Sequence, residues 1–153
     1  MKLGDVLKKE REAFGLTVEQ MVAELDIPAE QYAELENGTS DAENWGPTLA
    51  QIAIELETPT SRLLADSGRA EDTRPGQAGE LIAKHRGRRE KSEEDLASAI
   101  GVDADTLQQI ESGESPIETI GPILLRFAEV IEQPVFNLFY PCGLPFQELD
   151  DYP

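Results

Sequence analysis

This chain is poor in sulfur, imidazole and positive charge, and each shortage removes a class of function. A single cysteine, Cys142, excludes an intramolecular disulfide, and a single histidine, His85, excludes a histidine-cluster metal site. Cys142 sits between Pro141 and Gly143 with no adjacent histidine or lysine to lower its pKa, so an ordinary thiol is expected. Long apolar runs are missing too: Ile123-Leu124-Leu125 is typical of the longest, against the roughly 20 residues needed to span a bilayer. Met1-Lys2-Leu3-Gly4-Asp5 meets an acid at once and has no apolar signal core. A cytoplasmic protein with no membrane association is therefore expected. Lysine and arginine number 13 against 31 acids, a net charge of −18. Affinity for nucleic acid comes largely from counterions released by basic side chains, so this balance argues against strong non-specific DNA binding.

Catalytic signatures are also missing. There is no glycine-rich phosphate loop, no metal-ligand spacing and no Ser/His/Asp set. The acids Glu93-Glu94-Asp95 are explained by the preference of helix N-termini for negative charge. Neither enzymatic activity nor a cofactor or metal is expected.

What the chain does have is an internal repeat. A shift of 75 residues lays the apolar pattern on itself without a gap: Leu7 on Ile82, Met21 on Leu96, Leu25 on Ile100, Ile27 on Val102. The match continues through Tyr32 on Leu107, Leu35 on Ile110, Leu49 on Leu124, Ile52 on Phe127 and Leu56 on Ile131. Leu63-Leu64 falls on Leu138-Phe139. The punctuation coincides as well: Glu36-Asn37-Gly38 with Glu111-Ser112-Gly113, Gly46-Pro47 with Gly121-Pro122, and Pro59 with Pro134.

Each copy reads as a series of short helices. Leu3, Val6, Leu7 and Phe14 fall near helical spacing and are expected in the core, with Gly15 as the stop. Thr17 is a candidate N-cap, and Gln20 completes a capping-box pattern. Met21, Val22 and Leu25 form the apolar face of a second helix. Pro28 suits the start of a third, whose Tyr32 and Leu35 point inward and which Gly38 ends. After a polar loop through Trp45, Gly46-Pro47 is expected to open a longer helix carrying Leu49, Ile52, Ala53 and Leu56. Thr58-Pro59 ends it, and a last turn follows at residues 61–64. In the second copy Ser92 is the cap, with Asp95 a weaker box partner.

Two short helices joined by about four residues make a helix-turn-helix. Here the chain resembles the lambda-repressor-like (Cro/Xre) family, over residues 3–64 and 78–139. The most specific stretches are Leu16-Thr17-Val18-Glu19-Gln20-Met21 through Leu35-Glu36-Asn37-Gly38, and the matching run from Ser92 to Gly113. The resemblance implies an all-α fold of two tandem four-to-five-helix lambda-repressor-like domains. They would occupy residues 1–64 and 78–139, with a linker at 65–77 and a proline-rich, aromatic tail at 140–153. Leu144, Phe146, Leu149 and Tyr152 of the tail are expected to cover a domain surface or bridge the copies.

The resemblance further implies sequence-specific binding to double-stranded operator DNA as a dimer. Two joined copies would supply an intramolecular pseudo-dimer, and a homodimer of whole chains is the other arrangement. The family's glutamine at the start of the second helix is replaced by Val18 and Glu93. On the first recognition helix only Gln31 is a normal base or phosphate reader, beside Glu30 and Glu34. Residues 1–64 hold 5 basic and 13 acidic side chains, a net of −8, so this copy is expected to read DNA poorly. The second copy offers Thr106, Gln108 and Gln109, and the run Lys84-His85-Arg86-Gly87-Arg88-Arg89-Glu90-Lys91 precedes its helix-turn-helix. Arg88, Arg89, Lys91 and the hydroxyl of Ser92 are the candidate phosphate clamps. The competing account of that run is a solvated helix end whose cations complement the C-terminal dipole.

Two functions follow. The first is a DNA-binding transcriptional regulator that works mainly through the second copy. The alternative is an acidic protein-interaction module whose helix-turn-helix no longer reads DNA and which contacts a basic protein partner or mimics DNA.

Overall fold

The computed structural model describes residues 1–64 and 76–142, apart from the side chains of residues 61, 62 and 136. Among the described residues the chain is helical, with no strand. The first repeat contains α1 (Leu3–Ala13), α2 (Val18–Leu25), α3 (Ala29–Asn37), α4 (Ala42–Leu56) and α5 (Thr60–Leu64). The second contains α6 (Gln77–Arg88), α7 (Glu93–Ile100), α8 (Ala104–Glu111) and α9 (Ile117–Val130), then 3-10 turns at Val135–Leu138 and Tyr140–Cys142. Of the linker expected over 65–77, Gln77 already belongs to α6, and of the tail expected over 140–153, Tyr140–Cys142 forms a 3-10 turn; residues 65–75 and 143–153, with the apolar residues of the tail, lie outside the described residues. No helix among those described is long and apolar enough to cross a membrane.

Local chemistry accounts for the helix ends. Thr17 and Gln20 form the reciprocal capping box, with Gln20 N–H donating to Thr17 Oγ1 and Thr17 N–H to Gln20 Oε1. Ser92 accepts from Asp95 N–H, and Asp103 accepts from Thr106 N–H at the start of α8. Gly38 closes α3 in the left-handed region, φ 82°. A carboxylate from the first turn of the long helix satisfies the N-terminus of each repeat's first helix: Gly4 N–H donates to Glu43 (2.6 Å) and Gly79 N–H to Glu118 (2.9 Å).

The long helices start earlier than the proline suggested. α4 opens at Ala42, whose N–H donates to Ser40 Oγ, so Gly46-Pro47 lies inside the second turn. α9 does the same from Ile117, capped by Ser115 Oγ. Proline has no N–H to give the i−4 carbonyl, so each long helix forgoes one intrahelical bond in its second turn. Phe14, expected in the core from its helical spacing, is 45% exposed instead.

An ion pair hidden in each repeat locks the first three helices together. Arg11 Nε lies 2.7 Å from Glu36 Oε2, and its Nη1 donates to the Leu16 carbonyl. Arg86 reproduces this 75 positions later, 2.7 Å from Glu111 and with Nη1 on the Lys91 carbonyl. Each arginine thus ties the end of one helix to the turn before the second and to the third. The helices cross at backbone contact: a Cβ on Gly4 would lie 2.5 Å from the Glu36 carbonyl oxygen, and one on Gly79 2.4 Å from that of Ile110.

The two repeats share one continuous hydrophobic core, in which Tyr32, Phe127 and Phe139 are the largest fully buried side chains. α4 and α9 cross at its centre in a two-fold manner. A Cβ on Gly46 would meet Leu124 and Phe139, while one on Gly121 would meet Leu49 and Leu64, their counterparts in the repeat.

Candidate functional site

The sequence nominated two surfaces, the basic run before α7 and the outward faces of α3 and α8. The structure employs most of the basic run within the protein. Arg86 belongs to the partly buried pair with Glu111; that bond holds its guanidinium pKa above the ordinary value, so it stays charged. Arg89 caps the end of α6 and reaches across to the first repeat, 2.8 Å from Glu57 Oε2. Lys91 lies 3.7 Å from Glu55 of the same helix end. Arg88 is exposed at the last position of α6 and makes no ion pair with any described residue. His85 is half-buried.

Ser92 is exposed and spends its oxygen as the α7 cap. It stands between Lys91, which faces Glu55, and Glu93, whose carboxylate lies 3.7 Å from Arg86. The four phosphate candidates therefore do not converge on a common open point. Two face the acids at the end of α4, one caps a helix, and Arg88 is exposed with no ion pair to a described residue.

The reader candidates fall on two adjoining hollows. Gln31 is half-buried in a cleft of about 410 Å³ between the repeats, where it shares the wall with Glu34, Ser40, Asp41, Glu114 and Thr119. Gln108 and Gln109 are exposed in a second hollow of about 440 Å³ with Asp105, Ser112 and Glu114. Glu114 lines both, so the outer faces of α3 and α8 form one continuous surface. Thr106 is half-buried on α8, outside the residues lining either hollow.

That surface carries four carboxylates, Glu34, Asp41, Asp105 and Glu114, and among the described residues no lysine or arginine lines either hollow. At the start of α8, Asp103 is held below the ordinary carboxylate pKa because it accepts the Thr106 N–H. Negative charge there persists into mildly acid conditions. Among the described residues no group of three or more His, Cys, Asp or Glu side chains is arranged to hold a metal. Cys142 is half-buried against α1, and burial pushes its thiol pKa up, away from nucleophilic use.

The residues that sequence reasoning missed are Glu55 and Glu57, which neutralise the basic run, and Asp41, which completes the cleft. The pairing of Arg11 with Glu36 and Arg86 with Glu111 had a visible signal, since both members recur under the 75-residue shift. Comparison of the chain with family models, curated proteins and solved structures finds no match.

Proposed function

We propose that this chain is a protein-binding module, built from two Cro/Xre-like helix-turn-helix units, that takes a basic segment of a partner protein across the joined faces of α3 and α8. The observation that carries this reading is the set of four carboxylates on the surface from Gln31 to Gln108, unaccompanied by a cation among the lining residues. Duplex DNA presents one negative charge per roughly 1.7 Å of its axis, so the same surface repels it. Lysine and arginine side chains of a protein meet complementary charge there, with hydroxyls and amides of Ser40, Thr119, Gln31 and Gln109 to orient them.

One observation favours DNA reading through the second repeat. Arg88 is exposed and makes no ion pair with a described residue, and the Arg89–Glu57 pair is exposed on both sides, 43% and 73%. Surface pairs of this kind are worth about 0–1 kcal/mol, so a phosphate can displace the glutamate. Gln108 and Gln109 would then supply the base contacts.

One experiment separates the two. The intact protein is offered an arginine-rich peptide and a random duplex library, at about 50 mM and about 150 mM salt, conditions between which phosphate-driven binding falls steeply. The expected result is peptide binding that Glu34→Gln with Asp41→Asn and Glu114→Gln weakens at least tenfold, and no enriched duplex. The control variant Glu10→Gln with Glu12→Gln and Glu24→Gln removes the same charge elsewhere and should leave binding near the original level. Equal weakening by both variants would reduce the effect to net charge. An enriched duplex motif lost in Arg88→Ala with Arg89→Ala would replace protein binding with DNA reading.

A further inference from the structure

The two repeats do not pack as finished domains side by side. α4 begins against its own repeat, where Gly46 faces Leu3 of α1 and Glu43 caps that helix. It ends against the other: its C-terminal acids Glu55 and Glu57 meet Lys91 and Arg89, and the helix packs along α7. α5 then lies on α6 rather than returning to α1. The second repeat mirrors this path. α9 starts against α6, where Glu118 caps Gly79, and ends against α2, where Arg126 Nη1 donates to the Leu25 carbonyl at 2.7 Å. The two 3-10 turns that follow pack on α1.

Each three-helix unit, α1–α3 or α6–α8, is therefore covered by the C-terminal elements of the opposite repeat. Leu63 and Leu64 of the first repeat, and Val135, Leu138 and Phe139 of the second, are all fully buried in the shared core. A unit stripped of its visitor exposes the apolar side chains that these residues cover. We infer that the chain is a helix-exchanged dimer closed within one polypeptide, and that each three-helix unit is a docking surface for the C-terminal helix pair of another copy of the same unit. Its intermolecular occupant is a second copy of this chain, since the surface opened by release of α4 and α5 is complementary to that segment.

The exchange makes folding of either repeat conditional on the other, whereas two ordinary domains in contact would each keep their structure when parted. The test uses the full chain with a protease site placed between residues 65 and 75, cleaved in the folded state. Helicity is followed by circular dichroism through a urea series at about 1 µM and about 100 µM. Folding coupled to association moves the midpoint with concentration: a hundredfold rise is worth about 2.7 kcal/mol, or roughly 1–2 M urea at typical slopes. The uncut chain should show no shift. Gly121→Leu, which forces a side chain into the place of Leu64, should lower the cleaved midpoint at both concentrations and make the halves separate on dilution. A midpoint independent of concentration, or halves that part on a sizing column with their helicity retained, would overturn the inference.

Discussion

Replacing Arg11 by methionine isolates the cost of leaving the Glu36 charge unpartnered at the edge of the core. The Arg11 side chain is 8% exposed and that of Glu36 13%, with bonds of 2.7 and 3.3 Å between them and a third, of 2.8 Å, from Arg11 to the Leu16 carbonyl. Methionine keeps most of the volume, so packing changes little and the carboxylate is left next to the buried Tyr32. Breaking one side of a buried pair costs about 3–5 kcal/mol. That is a large share of the 5–15 kcal/mol by which domains are usually stable. At about 2–4 °C per kcal/mol for a chain of this size, Tm should fall by roughly 6–20 °C. Arg11→Met with Glu36→Leu removes both charges and should recover most of the loss, to within about 2 kcal/mol of the original. Urea denaturation at neutral pH, followed by circular dichroism, measures all three proteins. Because the pair is shielded from solvent, the single-variant loss should be nearly the same at low and high salt. A loss below about 1 kcal/mol for Arg11→Met, or a double variant no better than the single one, would refute the assignment of this pair as the lock between α1, α2 and α3.

Three further outcomes are expected. Gly79→Ala places a Cβ 2.4 Å from the Ile110 carbonyl oxygen, and because backbone must move to admit it, urea titration should show a loss of about 1–3 kcal/mol or more. Phe14→Ser should change stability by no more than about 0.5 kcal/mol in the same assay, since the ring is 45% exposed. Asp103 has a folded-state pKa below its ordinary 3.8, so its stabilising contribution is complete above that value and disappears as pH falls through the folded pKa. Asp103→Asn keeps the cap but cannot titrate; the difference in urea midpoint between it and the original should be flat from pH 7 to about 5 and change below about 4.

Much of this architecture was legible because it follows from local rules. The 75-residue shift, the caps at Thr17 and Ser92, and the inward faces of α2, α3, α7 and α8 all depend on a few neighbouring side chains. Periodicity identifies which face of a helix is buried but not what buries it. Leu49, Leu56, Leu63 and Leu64 read as core for that reason, yet nothing in their spacing says that α5 lies on α6. Phe14 misled because helical spacing is satisfied equally by a residue at the rim of the last turn. Gly46-Pro47 misled because proline marks a helix start only approximately, and Ser40 had already capped the helix four to six residues earlier. The site suffered from the same gap. Arg89 and Lys91 are plain in the sequence as part of a basic run, but their partners Glu57 and Glu55 are more than 30 residues away and come together with them only through the crossing of α4.

The Arg89–Glu57 bridge has a consequence for what joining the halves makes possible. In a dimer of identical subunits every substitution is made twice, so a bridge across the axis would have to exist in duplicate. Here the position equivalent to Arg89 is Phe14 and that equivalent to Glu57 is Glu132, and no second bridge can form. One polypeptide holding both units can vary them separately. It keeps an arginine where one edge is pinned and an exposed aromatic ring at the other, and presents two unlike ends on a symmetric frame.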